Sequence, residues 1–167
     1  MKRLLVYFRS YKVLLFFLLL GFILFSNILD NKFIWLDTQY IVNDSHAQTF
    51  NLYNLMEGSA LTGRGYYRPL TAIYFTLIYL IFNHQPFFFR FFQILLYSIS
   101  AYFLFVFFKK FIKQWIAFLL TFLFFIHPMN EGIVGFISIS GDILSIFFGL
   151  FSLILYKKRE TIFLEYI

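Results

Sequence analysis

His127, Pro128, Asn130 and Glu131, followed by Ser140, Gly141 and Asp142, place a histidine and two carboxylates between two strongly apolar runs. Such groups at a membrane boundary need a reason. Oxygen ligands with one imidazole suit a hard divalent ion such as Mg²⁺ or Mn²⁺ better than a thiolate-loving one. Taken alone, His127 reads as a helix-terminal histidine before proline. A second group is Arg64 and Arg68, flanking Tyr66 and Tyr67. A guanidinium pairs with phosphate oxygens through two parallel hydrogen bonds, and tyrosine rings settle at membrane interfaces, so this group suits either a bound lipid phosphate or ordinary headgroup anchoring. Arg90 heads a long apolar run with Gln93 one turn below, and near an interface it is expected to snorkel toward water.

The elements that must position these residues are membrane helices. Of 167 residues, 61% are hydrophobic, 25% aromatic and 13% charged, and the 28 phenylalanines exceed what a small soluble core could bury. The net charge of +6 sits in short Lys/Arg clusters beside apolar runs, the pattern of cytoplasmic loops, which excludes a nucleic-acid partner. With no cysteine there is no disulfide framework and no thiol chemistry. A small transporter component would carry polar groups inside its spans, and these runs hold almost none.

The chain reads as a single membrane module over 1–167. The basic segment Met1 to Lys12 and the apolar run to Leu29 make 1–30 an uncleaved first transmembrane helix with its N-terminus cytoplasmic; a signal peptide starts the same way but has a shorter apolar region. Residues 31–67 form an external loop. Within it Asp44-Ser45 can cap a short interfacial helix over His46 to Met56. The run in 68–86 is too short for a comfortable span, and two topologies compete. If it crosses, Lys109, Lys110 and Lys113 fall outside; if it is interfacial or re-entrant, all three basic clusters, through Lys157-Lys158-Arg159, fall inside. The second is preferred. Spans then follow at 87–113, 114–128 and 142–157, with a second external loop at 129–141. The expected fold is all-α, polytopic, with about four spans and an interfacial or re-entrant helical layer on the external face.

Tyr66-Tyr67-Arg68-Pro69-Leu70-Thr71, the polar turn at Asn83 and Pro86, His127-Pro128, and Ile137-Ser138 leading to Gly141-Asp142-Ile143-Leu144-Ser145 together resemble the GT-C glycosyltransferases. The similarity is greatest to the transmembrane and tetratricopeptide-repeat O-mannosyltransferases and their bacterial relatives, and covers only the N-terminal part of such an enzyme. The resemblance implies transfer of a sugar from a polyprenyl-phosphate donor to an acceptor at the external face. It implies a general base at Asp37, which would accept the acceptor's hydroxyl proton. It also implies donor or phosphate binding by Arg64, Tyr67, Arg68, His127, Glu131 and Asp142, with Glu131 and Asp142 holding a metal in some members.

The chain departs from that pattern at three places. Leu36 stands where relatives carry the first of two adjacent acids, Gly132 where they carry an acid, and Ser140 where they carry arginine. The alternative is therefore a catalytically inactive fragment or an accessory or structural membrane subunit bound to other membrane subunits. The membrane is read as a bacterial inner membrane ahead of the endoplasmic reticulum, with lipid and a polyprenyl-phosphate sugar as the implied partners.

Overall fold

The computed structural model describes residues 2–43 and 68–165. Among the described residues there are six α-helices and no strand: α1 (Lys2–Phe25), α2 (Pro69–Phe82), α3 (Pro86–Phe108), α4 (Gln114–Phe125), α5 (Met129–Gly135) and α6 (Ser140–Glu165). Single turns at Ser26–Ile28, Thr38–Val42 and Ile137–Ile139 join them. The chain is an all-α polytopic membrane protein. Three segments, Tyr11–Ile28, Pro86–Phe108 and Ile137–Tyr156, are long and apolar enough to cross a bilayer, and α4 with α5 makes a fourth when the bent pair is counted as one.

Local chemistry sets most helix ends. Pro69 and Pro86 occupy first-turn positions of α2 and α3, where the missing N–H would have had no helical partner. Proline disfavours a helical conformation in the residue before it, so α4 stops ahead of His127-Pro128 and the chain turns by 67° into α5. At its far end α6 runs on through Lys157, Lys158 and Arg159 to Glu165, past the point where the span itself was expected to stop. Lys, Arg and Glu end an apolar window without ending a helix, because their helix propensity is high.

Side-chain contacts give the directions of the helices. Phe22 meets Phe91, Phe17 and Phe105 both meet Phe118, and Tyr97 stacks on Phe125, so α1 and α4 run parallel to each other and antiparallel to α3. Gln93 meets Ser140, Phe103 meets Phe151, and Lys110 Nζ donates to the Ile154 carbonyl at 3.0 Å, so α3 and α6 run parallel. The segments carrying Lys2 to Lys12, Lys109 to Lys113 and Lys157 to Arg159 therefore share one end of the bundle. Asp37, Arg68, Arg90, His127, Glu131 and Asp142 belong to the other.

Close packing at Gly21 brings α1 onto α3. A Cβ there would collide with the Ser98 hydroxyl and lie 3.3 Å from Phe125 and 3.4 Å from Ile94. Small residues let membrane helices approach this closely, and dispersion then holds them. Around this contact Phe17, Phe25, Tyr97, Phe105 and Phe125 form the bundle core.

Helix α2 is different in kind. Fourteen residues rise only about 21 Å, well short of a bilayer core. Its first turn touches Gly141 at the start of α6, and its last residue, Phe82, stacks on Phe88 at 3.8 Å and meets Phe92 at 5.8 Å. Gly141 and Phe92 lie at nearly the same height in the bundle, because Ser140 and Gln93 touch. Both ends of α2 thus sit at one level, and the helix crosses the bundle end instead of running along it. Its Phe75 and Ile78 pack over Ile41, Phe89 and Ile137 as a second, smaller apolar cluster.

Candidate functional site

The end of the bundle away from the basic clusters is held by a buried polar network built on the first two turns of α3. Arg90 and Gln93 lie one turn apart on one face, and both are 0% exposed. Arg90 Nε donates to the Asn31 carbonyl at 3.0 Å, and its terminal nitrogens donate to the carbonyls of Gly135 at 2.6 Å and Lys32 at 2.7 Å. Gln93 Nε2 donates to the carbonyls of Ile133 and Phe136, each at 2.8 Å, and its Oε1 accepts from Ser140 Oγ at 2.5 Å. The expected snorkelling of Arg90 does not occur. Five main-chain carbonyls and Asp37 receive these two side chains, so both loops are hydrogen-bonded where water cannot do the work.

Asp37 completes the network. It too is 0% exposed, its Oδ1 accepts the Ser138 N–H at 2.8 Å, and its Oδ2 lies 3.9 Å from the Arg90 guanidinium. An ion pair this buried is stabilising only when hydrogen bonds satisfy both partners, and here they do. In this arrangement neither oxygen is open to an acceptor hydroxyl. What Asp37 visibly does is tie the segment after α1 to the segment before α6.

A cavity of about 390 Å³ opens beside this network, between the start of α2 and the first two turns of α6. Arg68, Thr71, Asp142 and Ser145 give it a polar wall, and Leu70, Leu144 and Phe148 an apolar one. Its shape depends on Gly141, where an added Cβ would come within 2.8 Å of Thr71 Oγ1 and 3.6 Å of the Arg68 guanidinium. The N-termini of α2 and α6 converge on it, and each contributes the partial positive charge of a helix start, although the Ser140 N–H is already taken by the Ile137 carbonyl.

Of the residues singled out in the sequence, Arg68 and Asp142 come together in this cavity, although 74 positions apart. Glu131 lies in the first turn of α5, exposed, and does not line it. His127 is exposed, its Nδ1 accepting the Met129 N–H at 3.2 Å, which is the helix-terminal role. Among the described residues no three His, Asp or Glu side chains gather in metal-binding geometry. Arg64, Tyr67 and the segment His46 to Met56 lie outside the described residues. Thr71, Ser145 and Gly141 are cavity residues that sequence reasoning did not select for a role there. All three stand in the segments that carry the resemblance, Thr71 after Arg68-Pro69 and Gly141 and Ser145 either side of Asp142. Burial of Arg90 and Gln93 was signalled more clearly, by two strongly polar residues one turn apart in an otherwise apolar span.

No protein-family model matches the chain, and neither a curated protein nor a solved structure matches it.

Proposed function

We propose that the chain is the N-terminal module of a GT-C-like glycosyltransferase that moves a sugar from a polyprenyl-phosphate donor to an acceptor at the outer membrane face. The observation that carries this reading is the meeting of Arg68 and Asp142 in one half-polar, half-apolar cavity at the end of the bundle opposite the basic clusters. A long-chain phosphate needs a cation and a positive potential for its headgroup, and Arg68 with the N-terminal dipoles of α2 and α6 suits both needs. It also needs an apolar exit for its chain. Leu70 and Phe148, both partly exposed, provide one.

Asp142 is exposed at the cavity, where it can hold a sugar hydroxyl, take the acceptor's proton or contribute one ligand to Mg²⁺ or Mn²⁺. The closed position of Asp37 makes it the organiser of the site and leaves acceptor activation to Asp142. That same burial favours the second reading, an inactive or accessory subunit that binds the lipid phosphate without turning it over.

Membranes carrying the protein should transfer radiolabelled sugar from a polyprenyl-phosphate donor. Arg68→Ala and Asp142→Ala should each lower transfer by at least tenfold, corresponding to about 1.4 kcal/mol or more. Retained donor binding without transfer would select the accessory reading. Absence of both would overturn the proposal.

A further inference from the structure

The chain has two tryptophans, and they stand at opposite ends of the bundle. Trp35 is 72% exposed beside the buried network, and Trp115 is 65% exposed in the first turn of α4, two residues after Lys113. We infer that the two rings are interface anchors, each seated in the headgroup layer on one face of a lipid bilayer, and that α2 lies in the same layer as Trp35.

Three independent features support this. The first is the separation of the rings. Trp35 packs edge-to-face on Phe136, whose carbonyl accepts from Gln93, so it sits near the start of α3; Trp115 follows directly on the turn that ends it. Between Arg90 and Phe108 the α3 axis rises about 27 Å, close to the roughly 30 Å of a bilayer hydrocarbon core. Tryptophan, with an apolar ring and one N–H, concentrates at the two planes that bound that core.

The second is backbone strain. Trp35 has φ of 49°, in the left-handed region that a bulky side chain rarely occupies. Relaxing the backbone would redirect a ring that the fold instead keeps outside, braced by Phe136 at 6.1 Å. Strain of this kind persists where the surroundings favour the strained conformer. A lipid interface that takes up the exposed ring supplies such a preference.

The third is continuity with the lipid-facing surface. Beside Trp35, Ile34 is 41% exposed, and along α2 Leu70, Leu77 and Ile81 are 55%, 48% and 69% exposed. On α2 these recur at helical spacing on the side opposite Phe75 and Ile78. Too short to span and lying across the bundle end, such a helix rests at the hydrocarbon edge of the interface with its outward apolar side against lipid. At the other end Lys109, Lys110 and Lys113 surround the turn before Trp115 and favour anionic headgroups. This placement is independent of any transferase activity.

The test is depth-resolved quenching on the full chain in vesicles of phosphatidylcholine and phosphatidylglycerol. Trp115→Phe leaves Trp35 as the sole indole, and Trp35→Phe leaves Trp115. Lipids brominated near the headgroup should quench each ring at least twofold more than lipids brominated near the chain ends. Because the chain has no cysteine, Ile81→Cys takes a single spin label, whose accessibility to oxygen and to a water-soluble nickel complex should report the same shallow depth as the Trp35 ring. The inference is overturned if aqueous iodide quenches Trp35 like free indole while brominated lipids have no effect, which would make that ring a platform for a soluble ligand. It is equally overturned if deep bromines quench either ring best, or if the label on α2 reports the bilayer centre.

Discussion

Replacing Arg90 with methionine keeps the apolar stem and the helix propensity but removes a guanidinium that serves three main-chain carbonyls, at 3.0, 2.6 and 2.7 Å, and faces Asp37 at 3.9 Å. Each buried carbonyl left without a donor costs about 1–3 kcal/mol. A buried carboxylate stripped of its partner costs about 3–5 kcal/mol. These terms do not add fully, because water enters and the loops relax, but the expected loss is at least about 4 kcal/mol out of a typical total of roughly 5–15. Arg90→Lys should fall between, since one ammonium cannot spread over the same fork of acceptors. The sharper expectation concerns Asp37→Asn, which keeps an oxygen for the Ser138 N–H and removes the charge. In the native background it destabilises, by about 1–3 kcal/mol, because Arg90 loses its counter-ion. In the Arg90→Met background it stabilises, because the unpaired carboxylate is gone. Denaturant unfolding of the four proteins in detergent micelles, followed by tryptophan fluorescence, closes the cycle. An Arg90→Met loss below about 1 kcal/mol, or an Asp37→Asn change that further weakens Arg90→Met, would refute the reasoning.

Three further outcomes follow from particular contacts. Gly21→Ala should destabilise by about 1–3 kcal/mol, because its Cβ has no room against Ser98, while Gly149→Ala, with none of the described residues within 4 Å of the added Cβ, should be neutral or slightly stabilising in the same melts. Burial pushes the Tyr74 phenol up from its usual 10.0, and its hydroxyl has no partner among the described residues. Folded chain then stays protonated where unfolded chain ionises, so this residue's contribution is full below pH 10 and declines above it by at most about 1.4 kcal/mol per pH unit. Tyr74→Phe should be neutral or stabilising at pH 8 and should flatten the stability profile between pH 10 and 11; an unchanged profile would contradict this. Gly141→Ala should weaken polyprenyl-phosphate binding by severalfold with Arg68 and Asp142 both kept, because Thr71 Oγ1, 2.8 Å from the added Cβ, must shift within the cavity wall; equal binding by the two proteins would show that the cavity is not the site.

The apolar runs made the architecture readable, because a run of twenty residues without charge has one stable form in lipid. The shortness of the run after Arg68 was visible too. With the basic clusters it led to the expectation of an interfacial or re-entrant segment, but the neighbours such a helix lies against were not readable, because they depend on Gly141 and Phe92 standing at the same height in helices far apart in the chain. Arg68 and Asp142 were each readable as chemistry-bearing residues, one for its neighbouring tyrosines and the other for its position at a boundary. Their meeting is a tertiary fact. Arg90 was misread for a physical reason: snorkelling assumes that water is the nearest solvent for a guanidinium, whereas two folded loops bring carbonyls closer. Asp37 shows the same limit, since a carboxylate in a loop reads alike whether it faces solvent or a buried arginine.

The most direct test of the central claim is photocrosslinking with a diazirine-bearing polyprenyl phosphate in native membranes, with the labelled peptides mapped by mass spectrometry. The account predicts adducts on the Arg68–Thr71 and Gly141–Phe148 segments, competed by unlabelled polyprenyl phosphate and lost in Arg68→Ala. Labelling confined to the exposed faces of α1 and α4, indifferent to competitor and to Arg68, would contradict it.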